Sequence, residues 1–367
     1  MTEIALHRAF TERGHTVTYA HWDSGRLSLV RERGVTYLTQ DAYETKVHDY
    51  SASLSGISDT ARQSKAALLL KVEAEIDNPT EDFTVTRRGD GLYVRYPSFK
   101  IDVRDIDGFM HVASGHENGA TINQVLDFRE KLEGAGIIPL NKAADSRVAE
   151  SKLQTQELFE ANGIPTPKSL CFRQEGKVFP KEPYRKQLEG MGAHEWVVKA
   201  EYASHGEGNF YTSSVDEALE HMQRLMAEGN NVVVQEKIPG RTGDSKSPNF
   251  RLAVIKGEKE GDEKVIGGYY TVFPEGSQYI PTHEMDFSQA QYDLAIRIAR
   301  LSKLDHVAVD MGGRGETMEE IKANPVAFEM NPAGALWVHQ FHGQNSMLKT
   351  IKHFEQKIEK QRIHALS

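Results

Sequence analysis

The chain has 367 residues, 39% of them hydrophobic and 26% charged, with a formal net charge of −9 and one cysteine. That length and composition fit two or three folded domains and exclude a disordered chain. The acidic balance argues against a nucleic-acid or anionic-membrane partner. Cys171 alone can form no internal disulfide, which fits a reducing compartment. No apolar run approaches about 20 residues, so no membrane-spanning helix is expected. The charged opening MTEIALHRAFTERGH does not resemble a signal peptide. The expected location is the cytoplasm.

Ile4, Leu6, Ala9 and Phe10 give residues 3–13 a helical period, which Gly14 ends, and HTVTYAHW then alternates like a strand. A nucleotide-type α/β unit normally opens with a strand, so this order is unusual. Residues 60–76 read as a helix. Residues 83–96 read as a hairpin about Gly89-Asp90-Gly91. Turn chemistry explains Arg88-Gly89-Asp90 better than an adhesion signal does. A strand over 106–113 ends in the polar loop Ser114 to Ala120, with His111 and His116 at the corner, and Thr121 with Gln124 fits a capping box for the next helix.

From Asn141 the character changes, which marks a domain boundary. A short loop leads into a helix over 146–161. Gly163 ends it, and Pro165 and Pro167 force extended chain. EWVVKAEY reads as a buried strand and ASHGEGNF as a glycine-bearing loop. Then come a strand, the helix VDEALEHMQRLM, and the buried strand NNVVVQEKI. FRLAVI and KVIGGYYTVF read as adjacent strands split by the turn GEKEGDE. DLAIRIARLSKL and the closing NSMLKTIKHFEQKIEKQR read as helices.

The densest chemistry lies in VAVDMGGRGETMEEIKANPVAFEMNPAG, residues 307–334. One apolar run delivers Asp310, and a second delivers Glu329 and Asn331. Residues i and i+2 of a strand share a face, so Glu329 and Asn331 point together and Met330 turns into the core. If the runs pair, Asp310 joins them. Two carboxylates and an amide oxygen suit Mg²⁺, which prefers oxygen and often accompanies phosphates; an acidic strand end facing water is the plainer alternative.

Lys199 ends the strand WVVK shortly before Ser204-His205-Gly206-Glu207-Gly208. Small residues let backbone N–H groups approach phosphate oxygens, and the lysine adds a point charge. The lysine precedes the glycines, so this is not a Walker loop, and a glycine-rich turn after a strand is common. Gln235, Glu236, Lys237 and Ile238 end a buried strand. There backbone groups can meet an adenine edge and Glu236 can accept from its amino group. Arg251 starts a strand where it can grip phosphoryl oxygens or form a strand-end ion pair. Trp337, His339 and His342 are candidates for a substrate wall. No third ligand stands at zinc spacing from the histidines, and no GxSxG or HExxH occurs.

In order, ESKLQTQELFEANGIPTP, WVVKAEYASHGEGNFY, VVVQEKIPG, NFRLAVI, VAVDMG and VAFEMNPAG resemble the ATP-grasp superfamily of carboxylate–amine ligases. Within it they look most like the branch of ribosomal-protein glutamate ligases and glutathione-synthetase-like enzymes. The resemblance spans residues 150 to 334. It implies an α/β (α+β) ATP-grasp fold: an N-terminal α/β domain over 1–140, a central subdomain over 141–235 and a C-terminal subdomain over 236–367, with ATP between the sheets of the last two. It further implies that Lys152 and Lys199 hold phosphates and that the loop containing Ser204, His205, Gly206 and Gly208 closes over them. Gln235 to Ile238 would form the adenine hinge, and Arg251 would steady an acyl-phosphate. Asp310, Glu329 and Asn331 would bind magnesium, two ions with Glu329 bridging, or manganese in its place. The implied substrates are small molecules, amino acids or peptides, and the oligomeric state is open, a homo-oligomer included. A ligase forming ester or amide crosslinks in a precursor peptide would share this core, as would a nucleotide-binding protein without catalysis. The sequence departs from the superfamily at Asn249, where an acidic residue is usual, and after Gly334, where AGALWVHQF replaces a Pro-Gly-Leu run.

Overall fold

The structure is a computed structural model. It describes residues 13–14, 18–23, 26–31, 84–88, 91–95, 108–110, 122–134, 136–174, 179–202, 209–238, 247–257, 259, 261–273, 287–332 and 346–366. The helix expected over 60–76, almost all of that expected over 3–13, and His111 and His116 lie outside the described residues.

Toward the N-terminus, β1 (Thr18–Asp23) pairs antiparallel with β2 (Arg26–Arg31). β3 (Thr84–Arg88) pairs antiparallel with β4 (Gly91–Arg95), giving the hairpin expected over 83–96. β5 (Gly108–Phe109) runs parallel to β6 (Ile138–Pro139), with α1 (Ile122–Gly134) between them in the chain. This helix begins one residue after Thr121, the expected cap position.

The single helix expected over 146–161 is two helices, α2 (Ala143–Glu150) and α3 (Lys152–Ala161). The break falls at Ser151, which is extended at φ −87° and ψ 109°. Its hydroxyl accepts the Gln154 N–H at 3.0 Å and caps α3. The Lys152 N–H donates to the Glu201 carbonyl at 3.2 Å. Lys152 therefore stands at the first position of a helix. Gly163, at φ +59°, closes α3 as expected.

Two four-stranded antiparallel sheets follow. The first has the order β7-β10-β8-β9, from β7 (Ser169–Phe172), β8 (Trp196–Ala200), β9 (Phe210–Thr212) and β10 (Val232–Glu236). α4 (Lys181–Gly190) and α5 (Val215–Ala227) pack on it, burying Leu188, Leu219 and Met222 against Val198, Val232 and Val234. The second has the order β12-β11-β13-β14, from β11 (Ser247–Ile255), β12 (Lys264–Phe273), β13 (His306–Gly313) and β14 (Pro325–Asn331). α6 (Gln289–Ser302) lays Leu294 and Ile298 on Leu252, Val307 and Val309. α7 (Met318–Ala323), not anticipated from the sequence, fills the β13–β14 connection behind a capping box of Thr317 and Glu320. α8 (Ser346–Leu366) closes the chain, with Phe354 on Ile138 and Leu140. No helix among the described residues is long and apolar enough to cross a membrane.

Asn141 fastens this second sheet. Its amide donates to the carbonyls of His306 at 2.8 Å and Pro332 at 2.7 Å, and its oxygen accepts the His306 N–H at 2.9 Å. It thus joins the start of β13 to the end of β14. Beside it, burial pushes the His306 imidazole down to about 4, with His353 adding and a hydrogen bond to the Pro332 carbonyl resisting. Asn141→Ala is expected to lower stability by about 3 kcal/mol, because buried backbone groups lose their partners. Urea unfolding measures this, and a loss under about 1 kcal/mol would contradict the clamp.

Candidate active site

The β13–β14 pairing sets Asp310 directly opposite Glu329 and Ala308 opposite Asn331. β11 brings Arg251 opposite Asp310 from the other side. Three neighbouring strands thus supply one polar patch, of which the alternation of the two apolar runs implied the part carried by β13 and β14. Met330 is 1% exposed and packs in the core, also as expected.

The register shifts immediately after Asp310, because Met311 pairs with Ala327 and Phe328 is the extra residue. A bulge of this kind breaks the period of two. Strict alternation would place Ala327 on the face of Glu329, yet Ala327 is fully buried in the core behind the sheet. Phe328 turns toward the first sheet, where the Lys199 ammonium stands 5.9 Å from its ring centre. Gly312 makes room for that ring: a Cβ there would stand 2.4 Å from Phe328 Cζ.

Arg251 grips both oxygens of Asp310 with two N–H groups. The Asn331 amide donates to Asp310 at 2.9 Å and reaches Glu329 at 3.5 Å. Across the gap, Lys152 Nζ lies 3.9 Å from Glu329 Oε2. Lys199 Nζ donates to Gln235 Oε1 at 2.5 Å. Lys152, Lys199, Arg251, Asp310, Glu329 and Asn331 are therefore brought together.

The charges are strongly coupled. Burial raises the Asp310 carboxyl to about 6, with Glu329 adding to the shift and Arg251 opposing it. Burial presses Glu329 upward too, but Lys152, Lys199 and a hydrogen bond with Asp310 outweigh it and hold Glu329 well below the usual carboxylate range. Burial lowers Lys199 to about 8, with Lys152 adding and Glu329 and Asp310 resisting. Glu150, at the end of α2, is raised by burial to about 7, against Arg129 and Lys152.

The donor set fits a magnesium ion. Two carboxylates and an amide meet at one point, and a half-turn of the Asn331 amide presents its oxygen where its N–H₂ now points. Among the described residues there is no group of three or more His, Cys, Asp or Glu side chains that could hold a metal. Any such site here rests on two carboxylates plus the amide.

The strand end 235–238 is arranged differently from the expectation. Gln235 is 3% exposed and faces inward, donating to Gln156 and Ser169 at 3.1 Å while it receives Lys199. The Glu236 carboxylate is engaged by Arg314 and by the Lys168 N–H at 2.9 Å. Both of these bonds fall on Oε1. Lys237 pairs with Glu195 at 3.2 Å and Ile238 is buried. Ser204, His205, Gly206 and Gly208, between β8 and β9 in the chain, lie outside the described residues, as do Trp337, His339 and His342. Phe328, Gly312, Gln156 and Glu150 were not anticipated. Of these, only the bulky aromatic beside Glu329 gave any sequence signal.

No family model matches the chain. Similarity to solved structures is extensive at low identity. A D-alanine–D-alanine ligase from Coxiella burnetii superposes with a TM-score of 0.58 at 13% identity, over 100% of this chain and 94% of that one. The D-cycloserine synthetase DcsG gives 0.56 at 16% identity, over 70% of this chain and 86% of that one. The fold is that of the ATP-grasp ligases. In sequence, the chain is 27% identical over 120 residues to the phosphoribosylamine–glycine ligase of Archaeoglobus fulgidus, covering 30% of this chain. That match spans 24% of the relative's length.

The packing of Phe328 under Gly312 gives a direct test. Gly312→Ala is expected to destabilise the fold by about 2 kcal/mol, because a Cβ would meet the Phe328 ring at 2.4 Å and force it to shift. In a Phe328→Leu background the same change should be better tolerated. Equal losses in both backgrounds, measured by thermal unfolding, would contradict the arrangement.

Proposed function

We propose that the chain is an ATP-dependent ligase that activates a carboxylate as an acyl-phosphate and joins it to an amine, releasing ADP and phosphate. One observation carries this reading. On an ATP-grasp fold, Lys152 and Lys199 face Glu329 across the gap between the sheets, and Asp310, Asn331 and Arg251 adjoin it.

The two ammonium groups suit phosphate oxygens, and Lys199 is steadied by Gln235. The Arg251 guanidinium, which holds two oxygens of Asp310, has the planar fork needed for two oxygens of a transferring phosphoryl group. Asp310, Glu329 and Asn331 would hold Mg²⁺. When bound, the ion neutralises phosphate charge. The substrate carboxylate oxygen attacks the γ-phosphorus, and the bond to the bridging oxygen breaks, so ADP leaves. The amine nitrogen then attacks the acyl carbon, phosphate departs with the C–O electron pair, and the amine loses its proton. Positioning and charge neutralisation suffice, so no side-chain nucleophile is needed.

In this reading residues 141–235 and 236–367 form the two halves that enclose ATP, and residues 1–140 precede them. The loop with Ser204, His205, Gly206 and Gly208 covers the phosphates. Adenine lies against 235–238. The Glu236 and Lys237 N–H groups already donate to the Lys168 and Glu195 carbonyls, so that recognition falls to the remaining groups of the segment. The relatives' names join D-alanine to D-alanine and phosphoribosylamine to glycine, which supports small amino-acid substrates. A peptide acceptor, as in the glutamate-ligase branch, and a cytoplasmic location belong to the same proposal.

ADP release from the full chain, screened with amino acids and dipeptides, tests the reaction. The expected result is ADP only when an acid and an amine are both present, with a product whose mass is their sum less water. ADP release that no pairing stimulates would contradict it. Lys199→Ala is expected to weaken MgATP binding by about a hundredfold, since a charge that meets phosphate is gone. Unchanged affinity would remove Lys199 from the site.

A further inference from the structure

Lys152 and Lys199 sit on different elements, one opening α3 and the other near the end of β8. A site for one phosphate chain needs a fixed distance between them. The structure supplies a knot where their elements meet, and Glu201 is its centre.

Glu201 is 4% exposed. Its carboxylate accepts the Ser151 hydroxyl on one oxygen and the Asn231 amide at 2.7 Å on the other. The Glu201 carbonyl receives the Lys152 N–H at 3.2 Å, and its own N–H donates to the Asn231 carbonyl at 3.0 Å. Asn231 in turn accepts the Gln174 N–H at 2.8 Å. One residue thus ties α3, β8, the chain entering β10 and the chain leaving β7.

The chemistry of the tie is specific. Ser151 has one hydroxyl proton, and its oxygen already accepts from Gln154 to cap α3. Its proton therefore needs an acceptor, and Glu201 provides it. Both carboxylate oxygens accept from neutral donors here. A glutamine would turn one acceptor into a donor facing a hydroxyl or an amide, so one of these partners would have to reorient. The charge also lies at the first turn of α3, where a helix favours an anion.

We infer that Glu201 is a positioning residue: through Ser151 and the Lys152 N–H it sets Lys152 at its working distance from Lys199 and Glu329. This rests on the proposed role of Lys152 in holding phosphate. The Glu201 carboxylate hydrogen-bonds to Ser151 and Asn231, not to Asp310, Glu329 or Asn331.

The test is a double-mutant cycle on MgATP affinity, measured by calorimetry on the full chain. Lys152→Ala is expected to raise the Kd about tenfold or more, and Glu201→Gln about fivefold. The double variant should bind no more weakly than Lys152→Ala alone, because Glu201 acts through that lysine. Independent, multiplying effects would make the knot a stability element only and overturn the inference, as would a Glu201→Gln protein with normal affinity. Normal affinity in Lys152→Ala would overturn the phosphate role of Lys152, and this inference with it. Should Glu201→Gln fail to fold, Ser151→Ala removes the same tie from the other side and carries the same cycle.

Discussion

Two carboxylates face each other across β13 and β14, Asp310 buried and Glu329 half-buried. Like charges so placed repel, and burial penalises each of them. Asp310 and Glu329 coexist because the surroundings are built to compensate. Arg251 comes from β11 onto Asp310, while Lys152 and Lys199 come from the opposite side onto Glu329. Take the pair away and the three cations would repel one another in the same space. Each sign is held in place by the other, which leaves the patch polar at its centre.

Backbone irregularities place these groups. The bulge at Phe328 lets two consecutive side chains, an apolar ring and a carboxylate, serve the same gap. The break at Ser151 turns what would be a mid-helix lysine into a helix-opening one aimed at Glu329. Behind the patch, Asn141 clamps the ends of the strands that carry the carboxylates, so the register opposing Asp310 and Glu329 is fastened where the sheet meets the N-terminal part. Gln235 and Gln156 continue the polar chain from Lys199 to α3.

Much of this was legible in the sequence, and the part that was not has a common cause. The apolar runs ending in Asp310 and in Glu329 with Asn331 announced two strands and a shared face, because alternation is local. The hairpin over 83–96 followed from local alternation about a turn sequence, and the close of α3 from Gly163, which is left-handed at φ +59°. The helix break at Ser151 was also local. Ser151 and Gln154 have capping spacing, as do Thr317 and Glu320 before α7, but strong helical periodicity on both sides of Ser151 masked the first. Contacts between distant segments left no such trace. The bulge depends on how β13 and β14 twist together, the engagement of Glu236 on Arg314 at the far end of β13, and the knot at Glu201 on Asn231 from another loop. The motif order carried the fold, since the solved structures share it at 13–16% identity.

The central claim is that the carboxylate pair binds a divalent ion together with ATP phosphates. Electron paramagnetic resonance of Mn²⁺ with ATP labelled by ¹⁷O at the γ-phosphate tests both at once. The account predicts protein-bound Mn²⁺ that depends on ATP, line broadening from the labelled phosphate, and loss of the bound signal in Glu329→Gln with its fold intact. A signal no different from that of free Mn²⁺–ATP, or one that Glu329→Gln leaves unchanged, would contradict it.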